Sequence, residues 1–452
     1  MTTSFARSRD FAIRSERVLT VDGMRAATVE VRDRIIASIA PWNSSRADVL
    51  DVGADVVMPG LVDTHVHVNE PGRTDWEGFE TATRAAAAGG VTTILDMPLN
   101  SIPATTTVRA LEEKRRAADG RCWVNVGFLG GVVPGNTREL PALWDAGVFA
   151  FKCFLVPSGV DEFPAVNESA LREALPTLAS LGATLMVHAE LPKYVSDPRG
   201  DGRVYANYEA TRPPSAETAA IELVARLASD FRARVHIVHV SAAESIDVLR
   251  RARQSGVAVT AETCPHYLTF ADDEIPHGAT EYKCAPPIRS AEHRDALWAA
   301  LENGRLDMVV SDHSPCPPSL KARDIGDFFA AWGGIASLQL GLRVVWQGAR
   351  DRDIQIERVA SWMSAVPARL AGLEGRKGAL SPGHDADIVI WDPDASFDVT
   401  AEALFHRHRL TPYLGRMLPG QIRTTFVGGL PAYQDGDVSQ TPVGHLSTRN
   451  AR

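Results

Sequence analysis

The chain predicts a (β/α)8 barrel carrying a second, small β-sandwich domain built from both chain ends. Three observations predict it. Between residue 58 and about residue 370, apolar β-branched runs alternate with Ala/Leu/Arg/Glu-rich stretches of helical texture. Short alternating runs bounded by turn residues occupy both ends of the chain. The residues that could carry chemistry stand at the C-terminal ends of the apolar runs, which is where barrel active sites form.

In chain order, residues 1–57 supply the first part of the small domain. Strands are expected over 11–21, 27–31 and 35–39, each apolar or alternating between turn residues. Residues 58–372 form the barrel, with strands over 61–68, 91–97, 124–130, 150–155, 184–189, 235–240, 257–262 and 308–311. Helices are expected between them, at 76–88, 216–228, 243–254 and 292–301 among others. Residues 373–452 complete the small domain, with one strand at the end of the run 377–393 and another over 422–430, and end in a tail.

Composition excludes several classes. The 452 residues are 45% hydrophobic and 23% charged, ordinary values for a globular protein. A formal charge of −9 argues against a nucleic-acid surface. No apolar run reaches a membrane span, and the start Met-Thr-Thr-Ser-Phe lacks the apolar core of a secretion signal. The five cysteines form no Cys-x-x-Cys pair, so free thiols in a reducing cytoplasm are expected. Gly-x-Ser-x-Gly, Gly-x-Gly-x-x-Gly and P-loop motifs are absent.

The candidate chemistry is a metal constellation. In Met58-Pro-Gly-Leu-Val-Asp-Thr-His-Val-His, the i, i+2 spacing turns His65 and His67 to one face of a strand, where both can grip one metal. His188 and His239 each close an apolar run. Alone, either could be a hydrogen-bonded core histidine; convergence from three strands favours ligation. His236 precedes His239 by three, which puts it on the opposite strand face as a structural residue. Lys152 lies inside Val148-Phe-Ala-Phe-Lys-Cys-Phe-Leu-Val, and lysine is rarely buried without a partner. Burial favours a neutral amine, which can take up carbon dioxide; the resulting carbamate can bridge two cations. The alternative is a lysine that reaches the barrel mouth or pairs with an acid. Asp312, after Met-Val-Val-Ser, can bind metal and accept a proton, or cap a turn before the prolines. Two cations about 3.5–4 Å apart make a nucleophile from bridging water and suit hydrolysis of an unactivated amide.

Longer motifs extend this reading. The stretches Asp96-Met-Pro-Leu-Asn-Ser-Ile-Pro, Phe151-Lys-Cys-Phe-Leu, Glu262-Thr-Cys-Pro-His-Tyr, Lys283-Cys-Ala-Pro-Pro-Ile-Arg, Val310-Ser-Asp-His-Ser-Pro-Cys-Pro-Pro and Trp332-Gly-Gly-Ile-Ala follow one another in order. With them the chain resembles the cyclic amidohydrolases and, within that superfamily group, the allantoinases. The resemblance implies that His65, His67, Asp312 and a carboxylated Lys152 hold one divalent metal. His188, His239 and the same lysine then hold the other. Zinc is the first expectation, and cobalt, manganese or iron also suit such ligands. It implies hydrolysis of the ring amide of allantoin to allantoate by a bridging hydroxide, with Asp312 as catalytic base and then acid. A hydantoinase or dihydropyrimidinase is the alternative within the same chemistry. Asn69 stands where dihydroorotases carry an arginine for the substrate carboxylate, and Pro157 where hydantoinases carry a tyrosine. Asn100, Cys284, Ser314 and Gly333 are the expected substrate contacts. The expected partner is a small ureide, with no nucleic acid or membrane, and the resemblance implies a homotetramer.

Overall fold

The computed structural model describes residues 10–43 and 48–450. Strands β1 (Phe11–Thr20), β2 (Gly23–Arg32) and β3 (Ile35–Pro41) form an antiparallel meander. β4 (Val49–Asp51) and β5 (Val56–Pro59) both pair in parallel with β1.

The barrel begins one residue after β5. Its strands are β6 (Leu61–Val66), β7 (Val91–Asp96), β8 (Asn125–Phe128), β9 (Gly130–Gly131), β10 (Phe151–Phe154), β11 (Thr184–His188), β12 (Arg234–Ile237), β13 (Val259–Thr263) and β14 (Met308–Val309). Their pairings are all parallel. The expected third strand is split: β8 pairs with β7, and β9 pairs with β10. Glycine is required at β9. A Cβ on Gly130 would lie 2.7 Å from the Phe151 ring, and one on Gly131 would lie 2.4 Å from the Phe163 ring. The ring closes where His67 N–H donates to His313 O at 2.8 Å, beside a parallel bridge between Val66 and His313.

Helices fill the crossovers: α1 (Phe79–Ala88), α2 (Val108–Ala118), α3 (Leu140–Asp145), α4 (Glu168–Leu181), α5 (Tyr205–Glu209), α6 (Pro214–Phe231), α7 (Ala243–Gln254), α8 (Ala291–Glu302) and α9 (Gly341–Arg350). α6 starts on a proline, which gives up no intrahelical hydrogen bond there. α1 starts three residues later than the sequence suggests. Glu70 folds back so that its Oε2 accepts from Phe79 N–H at 2.8 Å, capping the helix from outside. That leaves Trp76 in the loop, edge-on to Trp332.

β15 (Ile388–Asp398), β16 (Met417–Val427), β17 (Leu430–Gln434) and β18 (Asp437–Val438) return to the sandwich. β15 pairs antiparallel with β5, so one strand seams the two chain ends together. Phe11, Ile13, Val29, Val31, Val57, Ile388, Ile390 and Phe426 pack a core between them. Each buried side chain of this kind contributes about 1.5–3 kcal/mol. The final segment then leaves the sandwich and lies against the barrel. Gly444 N–H donates to Cys122 O, Val126 N–H to His445 O, and Ser447 N–H to Val126 O, at 2.8–3.0 Å. Among the described residues, no helix is long and apolar enough to cross a membrane.

Candidate metal centre and its cavity

The six expected ligands stand at one end of the barrel. His65 lies in β6, Lys152 in β10, and His188 ends β11. His67, His239 and Asp312 follow β6, β12 and β14 after one, two and three residues. Two groups of donor atoms form. Nε2 of His65 and Nε2 of His67 lie 3.1 and 3.5 Å from Asp312 Oδ1. Nδ1 of His188 lies 3.0 Å from Nε2 of His239. The His65 and His239 rings are 5.5 Å apart, so the groups adjoin. His239 and Asp312 take φ of 41° and 43°, the left-handed region that non-glycine residues rarely occupy. Surrounding structure holds them there, and such outliers concentrate at functional sites.

Lys152 is wholly buried, and its Nζ has no hydrogen-bond partner. It stands 5.0 Å over the Phe154 ring, which stacks on His188. Burial pushes the amine down to about 8, against the pull of the Glu262 and Asp312 carboxylates. Burial, then the neighbouring cationic groups, also holds His65 and His239 far below the usual imidazole range. Neutral imidazole is the form that binds metal. The donor set therefore fits a pair of cations: an orphaned buried amine, neutral imidazoles and a carboxylate face one another from five strands.

A second layer orients these groups. Glu262 Oε1 accepts from His65 Nδ1 at 2.5 Å, and its Oε2 accepts from His236 Nε2 at 2.8 Å. His236 Nδ1 meets Thr260 Oγ1 at 2.7 Å. Strict alternation would set His236 on the face away from the site. It is instead coupled to His65 through Glu262, because β12 ends at Ile237 and the turned backbone at His239 breaks the alternation. Asp63 bridges the first and last barrel strands, accepting from His65 N–H at 3.1 Å and Ser311 N–H at 3.0 Å. Glu190 accepts from His188 Nε2 at 2.7 Å and from Arg212 at 2.5 Å. Asn100 Nδ2 lies 3.4 Å from His67 Nδ1. Cys264 and His266 form a further buried group with Asp312, and neither ring nitrogen of His266 has a partner.

A cavity of about 270 Å³ opens above the centre. Asn100, Cys284, Ser314 and Gly333 all line it, as do Pro157 and the histidines of both groups. Asn69 does not; its amide donates to Pro315 O at 3.2 Å. Phe154 and Trp332 supply apolar wall, and Ser158, Tyr208, Arg212 and Lys283 supply polar wall. Sequence reasoning missed Glu262, Glu190, Arg212 and Lys283. The signal for Glu262 was available, since an acid closing the apolar run Val-Ala-Val-Thr-Ala is as unusual as Lys152. Arg212 and Lys283 lie in irregular segments with no periodicity to place them.

Comparison with known proteins places this geometry in context. A profile of the amidohydrolase family matches residues 56–431. An allantoinase of Streptomyces avermitilis is 47% identical over 97% of this chain and 99% of its own. An Arabidopsis thaliana allantoinase is 44% identical over 96% of this chain and 90% of its own. Among solved structures, an L-hydantoinase (dihydropyrimidinase) from Arthrobacter aurescens superposes with a TM-score of 0.91 at 32% identity. That match covers 98% of this chain and 100% of the other.

Proposed function

We infer the reaction from the premise that this chain belongs to the amidohydrolase family. It is a metal-dependent hydrolase that opens the five-membered ring of allantoin at a ring amide, giving allantoate. The observation that carries this reading is the meeting of the His65–His67–Asp312 and His188–His239 groups around the orphaned Lys152 amine. The choice of ring follows the allantoinase relatives, which stand at 44–47% identity where the hydantoinase structure stands at 32%.

We assign His65, His67 and Asp312 to one cation and His188 and His239 to the other, with Lys152 carboxylated between them. Zinc, cobalt, manganese or iron would each satisfy these ligands. Two such cations supply a nucleophile from water at neutral pH and polarise the carbonyl under attack. The protein's own groups do the rest. Asp312 is the base that takes the proton of the attacking water and hands it to the leaving ring nitrogen. Glu262 and Glu190 fix the tautomers of His65 and His188, so that the opposite ring nitrogens keep their lone pairs for the centre. Phe154 and Trp332 narrow the cavity and exclude water beside the ring. Pro157 offers no side-chain donor, so oxyanion stabilisation would fall to the cations and to other donors of the cavity wall.

The five free cysteines, all buried, agree with a reducing cytoplasm. Turnover of allantoin, hydantoin, dihydrouracil and dihydroorotate by protein loaded with divalent metal and bicarbonate tests the reading. Allantoin should be the preferred substrate, and preference for hydantoin or dihydrouracil would reassign the enzyme to those rings.

A further inference from the structure

The floor of the cavity accounts for attack on a ring amide but leaves the ureido arm of allantoin without a partner. That arm presents a carbonyl oxygen, which needs a fixed donor on the cavity wall away from the floor. Several wall groups are already engaged. Tyr208 O–H donates to Cys284 O at 2.7 Å, Ser314 O–H to Asp312 O at 2.8 Å, and Ser158 O–H to Phe163 O at 2.6 Å. Arg212 has its charge paired by the Glu190 carboxylate.

Lys283 is different. Its Nζ donates to Ala331 O at 2.5 Å and to Phe329 O at 3.2 Å, which uses two of three N–H groups. It stands 5.0 Å from the centre of the Tyr208 ring, and Tyr208, Ala331 and Lys283 itself all line the cavity. Among the described residues, no carboxylate pairs with it. Burial first, then the cations Lys321 and Arg212, push the ammonium down to about 8, against a weaker pull from the Asp327 carboxylate. A buried cation held by two carbonyl oxygens and by no ion pair gains from one more strong oxygen acceptor.

We propose that Lys283 selects the ureido arm, donating its remaining N–H to the arm's carbonyl oxygen while the ring occupies the floor of the cavity. This rests on the assignment of allantoin as substrate. Hydantoin is the same ring without the arm, so it isolates the contact. In the metal-loaded enzyme, Lys283→Met keeps the chain length and removes the donor. The kcat/KM for allantoin should fall about 10- to 100-fold, mostly through KM, while the inhibition constant of hydantoin stays within about twofold. Lys283→Arg, which keeps a charged donor, should recover part of the loss. Equal weakening of both ligands would overturn the proposal and reduce Lys283 to a clasp for the 329–331 loop. Undiminished allantoin turnover would overturn it as well. If Lys283→Met does not fold, Lys283→Gln carries the same comparison, since its amide can still donate to a loop carbonyl. Failure of the unaltered enzyme on allantoin would sink the substrate assignment itself, and this inference with it.

Discussion

Glu262 offers a sharp test of how the centre is held. It is fully buried, and each carboxylate oxygen receives one imidazole, His65 at 2.5 Å and His236 at 2.8 Å. Glu262→Met keeps the length but strands both ring N–H groups. His65 then loses the acceptor that keeps its proton on Nδ1 and its lone pair on Nε2, facing Asp312. Glu262→Gln is gentler. Its amide oxygen can still serve His65, while its NH2 faces His236. That ring can shift its proton to Nδ1, because the Thr260 hydroxyl at 2.7 Å can accept as well as donate. Orienting partners of this kind are worth about 10- to 100-fold in metal affinity. Metal affinity should therefore fall about 100-fold for Met and about 10-fold for Gln, or about 2.7 and 1.4 kcal/mol. Dialysis against buffered free metal, followed by elemental analysis, reads the occupancy directly and without turnover. Tight binding by the Met variant, or weaker binding by Gln than by Met, would refute the tautomer argument.

Two other perturbations separate function from folding. Lys152→Met should reduce turnover to background yet leave the melting temperature of the metal-free protein unchanged or higher, since the buried amine has no partner to lose; a marked drop in melting temperature would show that the lysine is structural. Glu209 is pushed up from 4.5 to about 7, first by burial and then by Asp272. A carboxyl raised in the folded state keeps a proton that the unfolded chain has released, so its contribution is full below about 4.5 and drains away as pH rises through about 7. Glu209→Gln has no proton to lose and should exceed the unaltered protein by about 1–2 kcal/mol near pH 8, with no difference near pH 4. Denaturant melts at the two pH values check this, and a pH-independent difference would contradict the assigned burial.

Much of the architecture was legible because its signals are local. A parallel strand covered on both faces must be apolar along its length, so β6, β7, β10 and β11 stood out as runs. His65, Lys152 and His188 were conspicuous for the same reason, as polar groups that cost free energy to bury among such residues. The substrate contacts expected from motifs also lie at the cavity wall, because the motifs follow strand ends. The alternation rule failed at His236 because it holds only while the backbone stays extended, and His239 lies beyond that limit.

What the sequence determined by itself is the barrel with its companion sandwich and the set of candidate ligands, since hydrophobic period and strand-end placement are properties of short segments. Tertiary structure alone decided which partner each group meets. The distance from Glu262 to His65 spans 197 positions in the chain, and the contact of Lys283 with Ala331 spans 48. Such pairings depend on how the strands close into a ring and how the loops settle over it, and no local pattern encodes that closure. The second layer of the metal centre and the polar wall of its cavity therefore emerge only when the chain is folded.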